Sequence, residues 1–326
     1  MKREVYLDTI CGVMIINIIL AHICAYSGCA DIFDHILFFA LPWFFFKAGM
    51  FFHVKDNLWQ QLSRDARRLL MPFISFGLLG VVFTLSLAVI GNGYPLPSLR
   101  EHVKTLLLFG TFPSSYHLWF LLTLFLVKST ANVLWKKWRV YIIILLCIGL
   151  TSLSFYTNHP YPLYVFNALD ALVFFGMGFI MKEAQYKPKM VVASIVVLVG
   201  ILCVAPTKLD MMKNQVLYGF YPLWYPFSLA GIICMNAFAR WLYTSFSLPS
   251  FLRPLIGIVD EIGKHSLLYY VSQGILLKIG RLLCSYCGID YPAVKVVIYI
   301  GVCIVAYPLL ATLFRRFPRL RFMIGE

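Results

Sequence analysis

Long apolar stretches, separated by short polar segments, run along almost the whole chain. A helix of about 17–25 mostly apolar residues is long enough to cross a bilayer. Such stretches predict about ten transmembrane helices, near residues 5–27, 34–53, 70–90, 116–134, 140–157, 163–181, 190–206, 222–243, 265–283 and 293–314. The pattern predicts an all-α, polytopic integral membrane protein with one transmembrane domain over residues 1–326.

The longest segment between predicted spans, residues 91–116, has a helical pattern of its own. Apolar Leu99 and Val103 are four residues apart, and so are charged Arg100 and Lys104. Residues four apart share a helix face, so one face is apolar and the neighbouring face is charged. The spacing predicts a short amphipathic helix that lies on the outer membrane surface.

Composition supports the membrane interpretation. Hydrophobic residues make up 61% of the chain and charged residues 13%, with a mean hydropathy of +0.81. A soluble domain has typically about 45–50% apolar and about 25% charged residues. A soluble fold of 326 residues has no interior large enough for this much apolar surface.

The net charge of +14 is unevenly distributed along the chain. Most of the 28 Lys and Arg residues fall in loops on the side of the N-terminus. The opposite side receives only Arg100, Lys104, Lys208, Lys213, Lys278, Arg281 and Lys295. Cytoplasmic loops of membrane proteins carry such an excess of basic residues. The asymmetry predicts cytoplasmic N- and C-termini, and it explains the charge without a nucleic-acid partner.

The cysteines point to neither disulfides nor metal. Their number is odd, at nine, and most lie inside predicted spans. Cys284 and Cys287 form a CxxC pair with no second pair, which is a weak zinc signal. We therefore predict no disulfide framework and no metal site.

Ionisable residues inside the predicted spans are the first functional candidates. Each costs about 2.5–3.5 kcal/mol at the bilayer centre on insertion scales, so each needs a reason to be there. The candidates among them are Asp8, His22, Lys47, His117, Lys128 and Asp170. Lys128 is expected to extend its ammonium to the interface. Structural alternatives for the first two are an Asp8 that caps or pairs with interfacial cations and a His22 that bonds a nearby carbonyl.

The first span holds two of these residues. A signal peptide is the alternative for this segment, but Asp8 and His22 are poor residues for its apolar region, and a second span follows at once. Fourteen residues separate them, which is about 21 Å along a helix. A retained first helix therefore places an acid near the cytoplasmic entrance and an imidazole near the outer mouth.

The same segment, LDTICGVMIINIILAH over residues 7–22, resembles the opening of the acyltransferase-3 family of membrane O-acyltransferases. In that family a Leu-Asp pair precedes an Arg-Gly pair, and a histidine follows the arginine by eleven positions. Leu7, Asp8, Gly12 and His22 match this pattern in register. Five further segments resemble family motifs in the same order: FFKAGMFF (45–52), RRLLMPF (67–73), HLWFL (117–121), FFGMGFIMK (174–182) and IGKHSLLYYVSQ (262–273).

Two positions depart from the family pattern. Cys11 stands where the family has its arginine, and Gln273 stands where a histidine is often found. A cysteine cannot hold phosphate or carboxylate oxygens as an arginine does. Lys47 lies about 9 Å from the inner end of its span, at the same depth as Cys11. We therefore expect Lys47 to supply the missing cation.

The resemblance implies a membrane enzyme of the inner or plasma membrane. Such enzymes move an acyl group, usually acetyl, from cytoplasmic acyl-CoA to a hydroxyl of a surface, exported or lipid-linked glycan. The expected partners are acyl-CoA as co-substrate, the glycan acceptor and membrane lipid, with no permanently bound cofactor. His22 is then either the general base or a transient carrier of the acyl group. Asp8 is expected to assist by orienting basic groups at the cytoplasmic entrance.

Binding residues follow from the same assignment. The anionic CoA headgroup is expected on the cytoplasmic side, where the candidates are Arg64, Arg67, Arg68, Lys264 and the deeper Lys47. Basic residues before a span are also expected from topology alone.

Acceptor-binding candidates lie towards the outside. His117 and Trp119 are expected to bind the acceptor by hydrogen bonding and stacking, with interfacial anchoring as the alternative for Trp119. Asp170 is expected to pair with His22 or His117.

Two rival interpretations remain open. A transporter or flippase of a lipid-linked glycan or small solute would share the apolar body and the buried ionisable residues. A non-catalytic family member is made plausible by Cys11 and Gln273.

Overall fold

A computed structural model describes residues 5–29, 36–89, 97–156, 162–182, 186–213, 215–245 and 249–325. This part of the chain is built from thirteen α-helices. They are α1 Val5–Ser27, α2 Ala40–Met50, α3 Leu58–Asp65, α4 Met71–Val89, α5 Leu99–Phe109, α6 Trp119–Leu134, α7 Val140–Tyr156, α8 Leu163–Ile180, α9 Pro188–Val204, α10 Trp224–Thr244, α11 Arg253–Lys264, α12 Ser266–Tyr286 and α13 Pro292–Arg316.

Short elements extend or connect these helices. The π-helical turn Ala66–Leu70 joins α3 to α4, so the polar segment before the third predicted span is largely helical. Three 3₁₀ turns flank longer helices: Tyr116–Leu118 precedes α6, Tyr221–Leu223 precedes α10, and Pro318–Ile324 follows α13. The antiparallel strands β1 Lys208–Asp210 and β2 Gln215–Tyr218 form a small hairpin between α9 and α10.

Seven helical segments of the described chain are long and apolar enough to cross a membrane. They are Val5–Ser27, Leu58–Val89, Tyr116–Leu134, Leu163–Ile180, Tyr221–Thr244, Ser266–Tyr286 and Pro292–Arg316. Two shorter apolar helices cover Val140–Ser154 and Pro188–Val204. The predicted all-α, polytopic architecture is confirmed, whereas the count of ten and the cytoplasmic termini stay predictions.

The predicted span 34–53 differs most from the structure. Its helix α2 runs only from Ala40 to Met50, and residues 34 and 35 lie outside the described residues. Hydropathy does not find this boundary, because Phe51 and Phe52 continue the apolar run after the helix has ended.

Several helices expose apolar side chains along their length. On α9, Val192 is 59% and Val196 64% exposed, and on α13, Ile304 is 67% and Leu309 65% exposed. Continuous apolar surface of this kind is unfavourable in water and favourable against acyl chains. The exposed faces of α9 and α13 are therefore suited to contact lipid.

The chain divides into two compact units. The first comprises Met1–Ile15, Leu37–Leu58 and Leu126–Lys264. Within it, α2 and α8 approach each other through glycines. Gly49 lies directly against the Phe175 carbonyl, and Gly178 lies against the Phe46 carbonyl. A Cβ at either glycine would overlap the opposing backbone, so this close helix pair depends on small residues.

The second unit comprises Ile16–Ile36, Trp59–Phe125 and His265–Glu326. Here α12 packs along α13 and also contacts α4, and the turn Pro318–Ile324 packs against α4. Lys278, counted above with the outer loops, lies inside α12 and is only 6% exposed. Its Nζ donates to Thr84 Oγ1 at 2.8 Å and to the Ser114 carbonyl at 2.6 Å, and these partners offset the cost of burying the ammonium.

The amphipathic helix predicted after residue 91 is present as α5. Ser98 caps it, because its hydroxyl accepts from Glu101 N–H while the Glu101 carboxylate accepts from Ser98 N–H. Leu99 and Val103 are exposed, at 81% and 49%. The helix is confirmed, and its placement on the outer membrane surface stays a prediction.

Candidate functional site

His22 is held by a side chain of α12. Its Nδ1 lies 2.9 Å from Oε1 of Gln273, which is fully buried. An amide oxygen only accepts hydrogen bonds, so Nδ1 carries the proton and donates. In the neutral ring Nε2 then has the lone pair. The contact thus selects the tautomer in which Nε2 can take a proton.

A second histidine lies beside the first. The ring centroids of His22 and His117 are 6.4 Å apart, with an interplanar angle of 61°. His117 Nε2 donates to the Val271 carbonyl at 3.3 Å, and the hydroxyl of Tyr270 donates to the His117 carbonyl. Both partners come from α12. The structure therefore brings two sequence-predicted residues, His22 of α1 and His117 of the turn before α6, together against α12.

The position of His117 depends on the absence of a side chain at Gly274. A Cβ at Gly274 would overlap Cε1 of His117 and lie 2.9 Å from Nδ1. The imidazole fills the space that any larger residue at position 274 would occupy. Gly274 follows Gln273 directly, so adjacent residues of α12 set the places of both histidines.

Lys278 fixes the segment that leads to His117. Its ammonium donates to the carbonyl of Ser114, three residues before His117, and this hydrogen bond anchors the segment to α12. Sequence reasoning missed Lys278, because hydropathy shows neither Thr84 nor Ser114 as its partner. Lys278 lies one helical turn after Gly274, and this spacing is the only sign in the sequence that Lys278 lies near the site.

Trp119 differs from its expected setting. It is 4% exposed, and its ring packs edge to face against Phe120 at 6.4 Å. A side chain this deeply buried offers little surface for stacking on a sugar or for interfacial anchoring. Its role in acceptor binding stays a prediction that the burial does not favour.

The predicted donor-binding arginines share one helical turn. Arg67 and Arg68 are exposed on the π turn Ala66–Leu70, a geometry often found at functional sites. Arg64 lies 3.9 Å from the buried carboxylate of Asp65. Gly325 lies against the Arg68 carbonyl, whose oxygen is 2.5 Å from the position that a Cβ at Gly325 would occupy. The basic C-terminal segment is thus a neighbour of the predicted donor residues, which sequence reasoning missed.

Lys47 belongs to the first unit and is half-buried. Its Nζ lies 5.3 Å from the centre of the Trp43 ring, and the Trp43 indole donates to Asn236 Oδ1 at 2.9 Å. Among the described residues no carboxylate pairs with Lys47. Its charge is held by an aromatic face and stays available to an anion. Cys11, the residue for which it is expected to compensate, is 2% exposed in the same unit.

Asp8 lies in the first unit, close to the end of α11. It is 8% exposed, and its carbonyl contacts Gly263, the residue before Lys264. Lys264 forms an ion pair with Glu261 at 3.3 Å. The predicted acid and one predicted donor cation therefore lie on neighbouring segments, while their roles stay predictions.

Sequence reasoning missed a further acid beside Asp8. Asp260 on α11 accepts hydrogen bonds from Thr9 at 2.5 Å and from the Tyr243 hydroxyl at 3.1 Å. It lies in a polar segment after α10, and nothing in the sequence pairs it with Thr9, 251 residues away. These contacts tie α1 to α10 and α11.

Asp170 is fully buried in α8. Its Oδ1 accepts from the hydroxyls of Tyr221 and Tyr225, each at 2.5 Å, and Tyr225 also contacts Thr151 Oγ1 at 2.9 Å. Its Oδ2 has no partner in the part of the chain that the structure describes. The predicted pairing with His22 or His117 stays a prediction.

Comparison with known proteins identifies the family but no individual relative. No curated protein and no solved structure matches the chain. A family model described as an acyltransferase domain matches residues 4–311. Since this match covers nearly the whole sequence, it includes both histidines, Lys47 and the arginine-bearing turn. The chain belongs to the acyltransferase-3 family, a family of membrane acyltransferases.

Proposed function

We propose that the protein transfers a short acyl group, acetyl in the simplest case, from cytoplasmic acyl-CoA to a hydroxyl of a surface or exported glycan. The observation that carries the proposal is the 2.9 Å contact between His22 Nδ1 and Gln273 Oε1. It leaves Nε2 as the basic atom of the ring, as a general base requires. Membership of an acyltransferase family supports this chemistry.

The proposed reaction is a direct transfer. His22 Nε2 takes the proton of the acceptor hydroxyl as the oxygen attacks the thioester carbon. The new C–O bond forms, the C–S bond breaks, and the proton ends on the sulfur of free CoA. His117 contributes from beside His22 by hydrogen bonding the acceptor. Direct transfer needs one base and no second nucleophile; an acyl group carried on Nε2 is the alternative.

The proposed donor site lies on the cytoplasmic side. The exposed Arg67 and Arg68 present guanidinium groups, which bind phosphate in a bidentate manner. Lys264 and Arg64 add charge at the same side of the predicted topology. Lys47 is proposed to meet the donor deeper, since its ammonium is anchored only by Trp43 among the described residues.

A single assay tests the proposal. Purified protein in nanodiscs is given acetyl-CoA with and without a glycan acceptor, and the release of free CoA thiol is measured. The proposal expects thiol release that depends on the acceptor, with an acetylated glycan as the product. No acetylated product from any hydroxylated glycan, with folded protein, contradicts it.

A transporter is the second candidate, and Asp170 is the observation in its favour. A buried carboxyl group with one unpartnered oxygen among the described residues is typical of a proton or solute path. A transporter moves glycan or solute across proteoliposomes without consuming acyl-CoA. A non-catalytic family member, suggested by Cys11 and Gln273, does neither but still binds acyl-CoA.

A further inference from the structure

A network of four side chains in the first unit connects Lys47 to the loop between α8 and α9. Lys47 and Trp43 are four residues apart on α2, so they share a helix face, and Lys47 Nζ lies 5.3 Å from the centre of the Trp43 ring. The Trp43 Nε1–H donates to Asn236 Oδ1 at 2.9 Å. Nδ2 of Asn236 donates to the hydroxyl of Tyr186 at 2.9 Å. These four residues are called the Asn236 network.

The two central residues of the network are fixed in the interior. Trp43 and Asn236 are each 0% exposed. Both ends of the Asn236 amide are used, because its oxygen accepts from the indole and its nitrogen donates to Tyr186. The plane of the indole is set by this hydrogen bond, and a cation is attracted to the face of the ring. Asn236 therefore determines where the aromatic face beside Lys47 lies.

Packing between α2 and α10 supports the same arrangement. Just before α2, Phe38 stacks on Phe227 of α10, with ring centroids 4.0 Å apart and planes 9° apart. A Cβ at Gly231 would overlap the ring of Phe39, so the two segments approach closely there. The hydrogen bond of the Asn236 network is the next contact along both helices, and Lys47 follows one turn later. The contacts thus proceed towards the side that the predicted topology places in the cytoplasm.

We propose that Asn236 is a positioning residue for the acyl-CoA donor. It holds the indole of Trp43 so that the Lys47 ammonium is kept in one place, and less conformational entropy is lost when the anionic donor binds. Through Tyr186 the network reaches the predicted cytoplasmic loop between α8 and α9, on the side from which acyl-CoA arrives. The proposal rests on the proposed donor role of Lys47 and adds the residues that place its charge.

Equilibrium binding of free CoA tests the network without acyl transfer. Protein in nanodiscs of zwitterionic lipid is titrated with CoA, and the Kd is measured for Lys47→Ala, Asn236→Ala and the double variant. We expect Asn236→Ala to raise the Kd by about three- to thirtyfold, as for the loss of a cation–π contact. In the Lys47→Ala background the same substitution changes nothing, because the charge that it positions is gone. A general loss of structure would weaken binding in both backgrounds.

Two further variants each remove one other member of the network. Trp43→Phe loses the N–H donor and keeps an aromatic face, so it should raise the Kd as Asn236→Ala does, and the two effects should not add. Tyr186→Phe, at a half-buried residue outside the helices, should act in the same direction to a smaller extent. Asn167→Ala is the matched control: this asparagine of α8 is also 0% exposed, it donates to the Met212 carbonyl, and its variant should bind CoA as wild type does.

The outcomes separate this proposal from the proposed function. A Kd unchanged in Asn236→Ala, or effects of Asn236→Ala and Lys47→Ala that simply add, overturns the positioning role, and so does wild-type protein that binds no CoA. If Asn236→Ala does not fold, Trp43→Phe and Tyr186→Phe decide by the same criteria. If the effects are coupled as expected but no acetylated product forms in the transfer assay, the proposed function fails and the positioning role stands.

Discussion

Gln273 accepts a hydrogen bond from His22 Nδ1 at 2.9 Å, and this contact joins α1 to α12 at the histidine site. Gln273 occupies the position where the family often has a histidine. A glutamine side chain, like a neutral histidine, can either donate or accept. The substitution therefore keeps a partner for His22, and because Oε1 of Gln273 faces Nδ1, the contact selects one tautomer.

Gln273 is expected to act as a positioning residue. In Gln273→Ala the imidazole loses its fixed tautomer, and kcat falls by about tenfold or more, as for the loss of one buried hydrogen bond. KM for acyl-CoA stays unchanged. Ser272→Ala, at the adjacent position, is the matched control, since the Ser272 hydroxyl bonds to the Leu268 carbonyl and to Tyr307. A change in KM without a change in kcat argues against positioning.

Gly274 gives a steric test of the second histidine. Gly274→Ala places a methyl group in the space of the His117 ring, so the ring moves away from His22. We expect transfer activity to fall at least about tenfold while the protein stays folded. Gly301→Ala is the control: nothing lies within 4 Å of its Cβ position, and alanine favours a helix by about 1 kcal/mol. Full activity in Gly274→Ala shows that the position of His117 is irrelevant.

Lys47 tests the compensation for Cys11. Lys47→Ala is expected to abolish transfer without loss of folding, because the proposed donor-binding cation is removed. Lys47→Arg retains part of the activity, since the charge and the contact with Trp43 persist. Lys128→Ala, at another half-buried lysine of an apolar helix, is expected to stay active. Turnover equal to wild type in Lys47→Ala contradicts the compensation.

The Asp170 cluster is expected to contribute to stability. Tyr221→Phe and Tyr225→Phe each remove a hydrogen bond to a buried carboxylate, worth about 1.5–3 kcal/mol. Thermal unfolding in detergent should occur at a lower temperature in both variants. Tyr218→Phe, at a tyrosine that is 43% exposed, should unfold as wild type does. Unchanged unfolding in both cluster variants shows that the hydroxyls do not stabilise the fold.

The sequence predicts the helices better than it predicts their contacts. The boundaries of α1 agree with the predicted span, because a continuous apolar run begins and ends with it. α3 was missed as a helix, since hydropathy cannot distinguish a polar helix from a polar loop. The burial of Lys278 depends on Thr84, 194 residues away, and no local pattern shows such a partner.

In the candidate site too, the sequence identifies residues but not the contacts between them. The family motifs identify His22 and His117, and the structure shows that they are neighbours that both contact α12. Gln273 was noted only as a departure from the family pattern. Its contact with His22 spans 251 residues, so only the tertiary fold reveals it. The sequence identifies Asp170, because burying an ionisable residue in an apolar span is energetically costly. Its tyrosine partners follow the β1–β2 hairpin, about 50 residues later, and were not predicted.

The most direct test of the account is the initial rate of acyl transfer in His22→Ala, with purified protein in nanodiscs and saturating acetyl-CoA. His53→Ala, at an exposed histidine of the loop after α2, is the matched control. A general base contributes about 100-fold or more, so we predict at least that loss in His22→Ala and a wild-type rate in His53→Ala. Equal rates in both variants, with the same acylated product, would contradict the assignment of His22 as the base.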